Sequence, residues 1–116
     1  MRRPRGYLPH VTGFKWEAGN SEKNWLSHSV TQAETEQLFF NHPILVTPDV
    51  THSRNEMRGL LLGKTNAGRR LTVAFTIRGT LIRPIMARDM SRRERRIYAE
   101  QQHAQETPTE TDPEIP

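Results

Sequence analysis

The sequence predicts a small α+β fold: a curved antiparallel sheet with two N-terminal helices and one C-terminal helix. Three observations lead there. Leu71, Val73 and Phe75 alternate with Thr72, Ala74 and Thr76, the period-two pattern of a strand. A second such run comes after Arg78-Gly79-Thr80, where Gly79 is free to make the tight turn of a hairpin. Thr31 with Glu34, and Ser91 with Glu94, each show the spacing of a helix capping box. At 116 residues with no internal repeat, the chain has room for one modest core.

Taken in order, residues 1–12 carry Pro4, Pro9 and three arginines without periodicity and are expected to form a loose arm. Phe14-Lys15-Trp16 reads as a short strand with both aromatic rings on one side. Residues 17–27 read as a short helix burying Trp25 and Leu26. His28-Ser29 is a joint before the helix that Thr31 caps, and Asn41-His42-Pro43 ends that helix because proline disfavours α geometry in the residue before it. Ile44–Val46 is a short strand, 47–55 a polar loop, and Met57–Gly63 another strand. Lys64–Gly68 turns the chain into the hairpin of strands from Leu71 and from Leu81. A helix runs from Arg92 to about Gln102. Residues 13–102 thus form the folded domain, and 103–116, with three prolines, several acids and no aromatic residue, are expected to be a disordered acidic tail.

Charge narrows the function. Seventeen Lys and Arg face 13 Asp and Glu, a net +4. Four of the acids lie at 106–116, so residues 1–105 hold 17 basic against nine acidic residues, +8. Fourteen of the basic residues are arginine, the side chain that grips phosphate or carboxylate with a planar fork. A nucleic acid or an acidic protein surface is the implied partner. No cysteine is present, which excludes disulfides and thiolate metal sites and fits a cytoplasmic protein. No apolar run approaches the roughly 20 residues of a membrane span, and the basic N-terminus has no apolar segment behind it, so neither a membrane nor a secretory signal is expected. No metal-binding spacing or Gly-rich phosphate loop occurs, so no cofactor is expected.

Several residues could carry chemistry. Arg83 alternates with Leu81 and Ile85, so it either has a carboxylate partner, for example Glu56, or opens onto a pocket where it clamps phosphate. Arg88 lies five residues on, and residues five apart face opposite sides of a strand unless a bulge intervenes. Glu56 and Arg58, two apart on one strand face, could be a base and its orienting partner or a cross-strand salt bridge. His28 could exchange a proton near neutral pH, or simply pack between helices. Arg92, Arg93, Arg95 and Arg96 form a helical ridge. With Arg78 at the hairpin turn, Arg92, Arg93 and Arg96 are candidates for an RNA-binding ridge, a docking face for an acidic partner or simply a solvated face.

In combination these motifs resemble the BrnT toxin family. Phe14-Lys15-Trp16-Glu17, then Asn24, His28 and Val30, resemble its opening signature. Glu56 and Arg58 match its Glu-x-Arg strand. Gly63, the strand containing Thr76, and the segment from Arg83 to Arg88 resemble the family's later strands, and Glu94 and Tyr98 its closing helix. The resemblance covers roughly residues 14–100. It implies a RelE-like fold and a metal-independent endoribonuclease toxin. It implies neutralisation by a BrnA-like antitoxin with a ribbon-helix-helix domain, and contact with operator DNA only through that antitoxin. It implies that His28, Glu56, Arg58, Arg83 and Arg88 form the catalytic site. The sequence departs from the family at Asn20 and Ser27, where lysines are usual, at Ser29, where glycine is usual, and at Pro84 and Met86, which replace Ile and Ser. A non-catalytic basic module that binds nucleic acid or an acidic protein is the alternative.

Overall fold

A computed structural model describes residues 11–17, 28–48 and 58–106. Its five strands are β1 (Gly13–Phe14), β2 (Leu45–Pro48), β3 (Arg58–Lys64), β4 (Arg70–Arg78) and β5 (Leu81–Asp89). They form one sheet in the order β1-β5-β4-β3-β2. Two helices accompany it among the described residues: α1 (Gln32–Leu38), between β1 and β2, and α2 (Arg92–Glu106), after β5.

Two features of the expected fold are corrected. The sheet is mixed rather than wholly antiparallel. From β2 to β5 neighbours in sequence are neighbours in space and pair antiparallel, but β1 pairs with β5 in parallel, with Gly13 opposite Leu81 and Phe14 opposite Ile82. No tight turn joins β1 to β5, so nothing forces the hairpin direction on them. The helices are also arranged differently: among the described residues one lies in the middle of the chain and one at the C-terminal end, rather than two ahead of the sheet. The helix expected over 17–27 falls, beyond Glu17, outside the described residues. Trp16 is not part of β1, which ends at Phe14; its indole Nε1 donates to Glu36 Oε2 at 2.7 Å and ties the chain to α1. Val11 and Thr12 belong to the packed chain, Val11 in the core and Thr12 bonded through its backbone N to Thr80 O at 2.7 Å.

Strand alternation sorts the sheet into two faces. Leu61 of β3, Leu71, Val73 and Phe75 of β4, and Ile82 and Ala87 of β5 point to one side and bury against Val30, Leu38 and Phe39 from the α1 segment. Phe14 packs edge-on to Phe39 and Phe40 there, and Phe39 edge-on to Phe75. Both predicted capping boxes form. Glu34 N donates to Thr31 Oγ1 at 3.0 Å and Thr31 N to Glu34 Oε1 at 3.0 Å; Ser91 and Glu94 repeat the exchange at 2.9 and 3.1 Å. α2 runs to Glu106, four residues past its expected end. His103 to Glu106 contain nothing that breaks a helix, and the first obstacle is Pro108, which biases Thr107 away from α geometry. The buried Tyr98 anchors this helix by donating its hydroxyl to Pro43 O at 2.7 Å.

Candidate active site

The face of the sheet opposite α1 carries the arginines, and an irregularity in β5 puts them there. Ala74 is opposite Met86 but Phe75 is opposite Pro84, so Ile85 is an extra residue, a β-bulge. Pro84 has no N–H to give to a ladder, which makes this the natural place for the break. The extra residue resets the alternation. Arg83 (opposite Thr76) and Arg88 (opposite Thr72) therefore share a face although they are five residues apart.

Arg58 joins them from β3. It is opposite Thr76 on one side of β4, as Arg83 is on the other, giving a row Arg58–Thr76–Arg83 across three strands. With strands about 4.8 Å apart, the two arginine backbones are about 10 Å from each other, within reach of one anion between them. Arg83 presently donates from Nε and Nη2 to Glu17 Oε1 at 3.4 and 3.2 Å. These are long contacts in a partly exposed pair, worth at most about 1 kcal/mol. Among the described residues the carboxylate partner of Arg83 is Glu17. Glu56 itself lies outside the described residues.

Arg88 stands roughly 13 Å further along, four residues of strand from the first row. Its Nη1 and Nη2 donate to the two Glu94 oxygens at 2.7 and 2.9 Å, and Thr72 Oγ1 donates to Glu94 Oε1 at 2.8 Å. The Arg88 guanidinium is the main reason the Glu94 carboxyl is held down at about 2; bonds from Ser91 N and Thr72 help, and partial burial opposes them. The same pairing raises the pKa of Arg88. Glu94 therefore caps α2, receives Arg88 and receives β4 at once. The sequence revealed the first role through its spacing. The others depend on which residue of β4 comes alongside.

His28 is elsewhere. Its backbone O accepts from Arg69 Nη2 at 3.3 Å, and Arg69 also binds Asp89 at 2.9 Å and Glu34 at 3.3 Å. Arg69 lowers the pKa of Asp89; that of Glu34 is lowered first by the Thr31 backbone and then by Arg69. This network closes the Leu71–Asp89 end of the sheet, about 17 Å of strand from the Arg58–Arg83 row. Arg78 lies exposed at the turn end of β4, on the arginine face. Arg92, Arg93 and Arg96 are exposed on the first turns of α2, whereas Arg95 folds back to donate to Met90 O at 2.9 Å. Between α2 and strands β2 and β3 lies a cavity of about 320 Å³, lined by Leu45, Leu60, Leu62, Arg93 and Ile97 among others. Thr76, in the middle of the arginine row, was not singled out from sequence, since its importance comes only from its cross-strand neighbours.

Among the described residues no helix is long and apolar enough to cross a membrane. A search of curated proteins returns no match. The profile of one family, described as the ribonuclease toxin BrnT of type II toxin-antitoxin systems, matches residues 16–94. That interval runs from the tryptophan that docks on α1 to the glutamate that receives Arg88. It covers more than half of the chain, and the chain therefore belongs to the BrnT family of ribonuclease toxins, whose type II systems pair the toxin with a protein antitoxin.

Proposed function

We propose that this toxin is a metal-independent endoribonuclease whose centre is the row Arg58–Thr76–Arg83. The observation that supports it most is the placement of two arginines on one sheet face, their backbones about 10 Å apart. In the proposed reaction a ribose 2′-oxygen attacks the adjacent phosphorus and gives up its proton to a base. The bond from phosphorus to the 5′-oxygen breaks, and that oxygen takes up a proton from water as it leaves. The products are a 2′,3′-cyclic phosphate and a 5′-hydroxyl. Arg58 and Arg83 hold the scissile phosphate and offset the charge that grows on its oxygens. Glu56, two residues before Arg58, is the proposed base. Arg88 and the Arg78, Arg92, Arg93 and Arg96 side chains contact flanking phosphates. The antitoxin is proposed to be a ribbon-helix-helix protein encoded next door, acting in the cytoplasm and bringing the complex to operator DNA.

The pairing of Arg83 with Glu17 and Arg88 with Glu94 favours one other assignment, a module that binds RNA or an acidic protein without cutting. A digest of RNA by the purified protein in EDTA separates the two. Cleavage is expected, and an Arg58→Ala, Arg83→Ala double variant is expected to lose at least about 100-fold. Undiminished cutting by that variant would remove these residues from the centre. Binding without any cutting by the unaltered protein would favour the module.

A further inference from the structure

We propose that the Thr76 hydroxyl is a further phosphate-binding group of this site, donating to the same phosphate as Arg58 and Arg83; this rests on the endoribonuclease assignment above. Four threonines are buried among the described residues: Thr35, Thr65, Thr72 and Thr76. Three of their hydroxyls are satisfied. Thr35 Oγ1 donates to Thr31 O at 3.0 Å, Thr65 Oγ1 accepts from Arg69 N at 3.0 Å, and Thr72 Oγ1 donates to Glu94 at 2.8 Å. Thr76, 5% exposed, has a buried Oγ1 with no hydrogen-bond partner among the described residues.

A buried hydroxyl without a partner lowers stability, and valine would fill the same space in a strand without that cost. The neighbours do not supply what is missing. Arginine has five N–H donors and no acceptor, so neither Arg58 nor Arg83, directly across on the two adjacent strands, can take the hydroxyl proton. An anion between the guanidinium groups can. Its oxygens accept from both arginines and from Thr76, and the half-exposed Glu17 carboxylate that now occupies Arg83 stands in for it through contacts weak enough to be displaced.

The test compares kcat/KM on a short RNA in EDTA, and the melting temperature, for the unaltered protein, Thr76→Val, Thr76→Ser and Arg83→Ala. Thr76→Val is expected to lose about ten- to a hundred-fold in kcat/KM, the usual loss for a hydrogen bond to a charged group, while melting at the same or a higher temperature. Thr76→Ser is expected to cleave within about threefold of the unaltered protein, since it keeps the donor. Full activity in Thr76→Val, a clear fall in its melting temperature, or failure of serine to restore cleavage would each overturn the proposal. If Arg83→Ala also cleaves normally, the assignment of the centre falls and takes Thr76 with it. A loss confined to Arg83→Ala sinks the Thr76 proposal alone.

Discussion

Ser29 holds a φ of 54°, the left-handed conformation that glycine adopts without strain. The family resemblance implies glycine here, and the left-handed turn just before Val30 enters the core gives a physical reason for it. Ser29→Gly is expected to stabilise the fold by about 0.5–1 kcal/mol, read as a rise in Tm of about 2–6 °C. At this scale the sequence was informative about residue type and poor about direction. Arg58, Arg83 and Arg88 stood out as arginines among apolar neighbours. Which of them share a face depended on one extra residue that no composition or periodicity marks, apart from Pro84 beside it. Thr76 was invisible for a related reason, since a threonine in a strand is ordinary until its cross-strand neighbours are known.

Between elements, Glu94 is the joint that fastens α2 to β4 and β5. Its carboxyl is depressed in the fold to about 2 from an ordinary value near 4.5. Its contribution is therefore complete above about pH 4.5 and lost as pH falls toward 2. Arg88 and Glu94 keep side-chain exposures of 34% and 21%, which screens the pair and leaves about 1–2 kcal/mol. Urea unfolding at pH 7 and pH 3 should show this loss, and Glu94→Gln should be less stable at pH 7 but respond less to acid. A second contact fixes how β3 lies against β4. A methyl group at Gly59 would come 2.9 Å from Phe75 Cζ, closer than carbon atoms pack, and Phe75 is fully buried. Gly59→Ala is expected to cost about 1–3 kcal/mol and to disturb Arg58 next to it, so thermal unfolding and RNA cleavage should both register it. The capping boxes and the hairpin turn were legible because they depend on residues three or four apart. The parallel β1–β5 pair was not, because it joins distant parts of the chain, Gly13 to Leu81 and Phe14 to Ile82, with no local signal.

Across the whole molecule, charge is segregated along the chain. Residues 107–116 hold Glu110, Asp112 and Glu114 and no basic residue, so removing them raises the net charge from +4 to +7. A chain ending at Glu106 should bind a non-cleavable 2′-O-methyl RNA more tightly at low salt, with the gain shrinking as salt is added; equal affinity at every salt concentration would show that the acids do not compete with RNA. The same segregation appears between the two faces of the sheet. One is closed by α1 and a continuous aromatic core. On the other, among the described residues, α2 lies over the end where Thr72 and Arg88 stand and over Leu60 and Leu62 of β3, and the row Arg58–Thr76–Arg83 lies beyond Arg88 along the sheet.

β5 thus counts in two phases, one on each side of Ile85. Deleting that single residue would leave Arg83 and Arg88 four apart, a spacing that an unbroken strand already presents on one side. What the shortened strand would lose is the local bend and added twist that accompany a bulge. Facing and curvature, which coincide in the native chain, can therefore be pulled apart: a folded Ile85 deletion that still cuts RNA would mean that orientation alone is needed, and one that binds RNA without cutting would assign the bend to the chemistry.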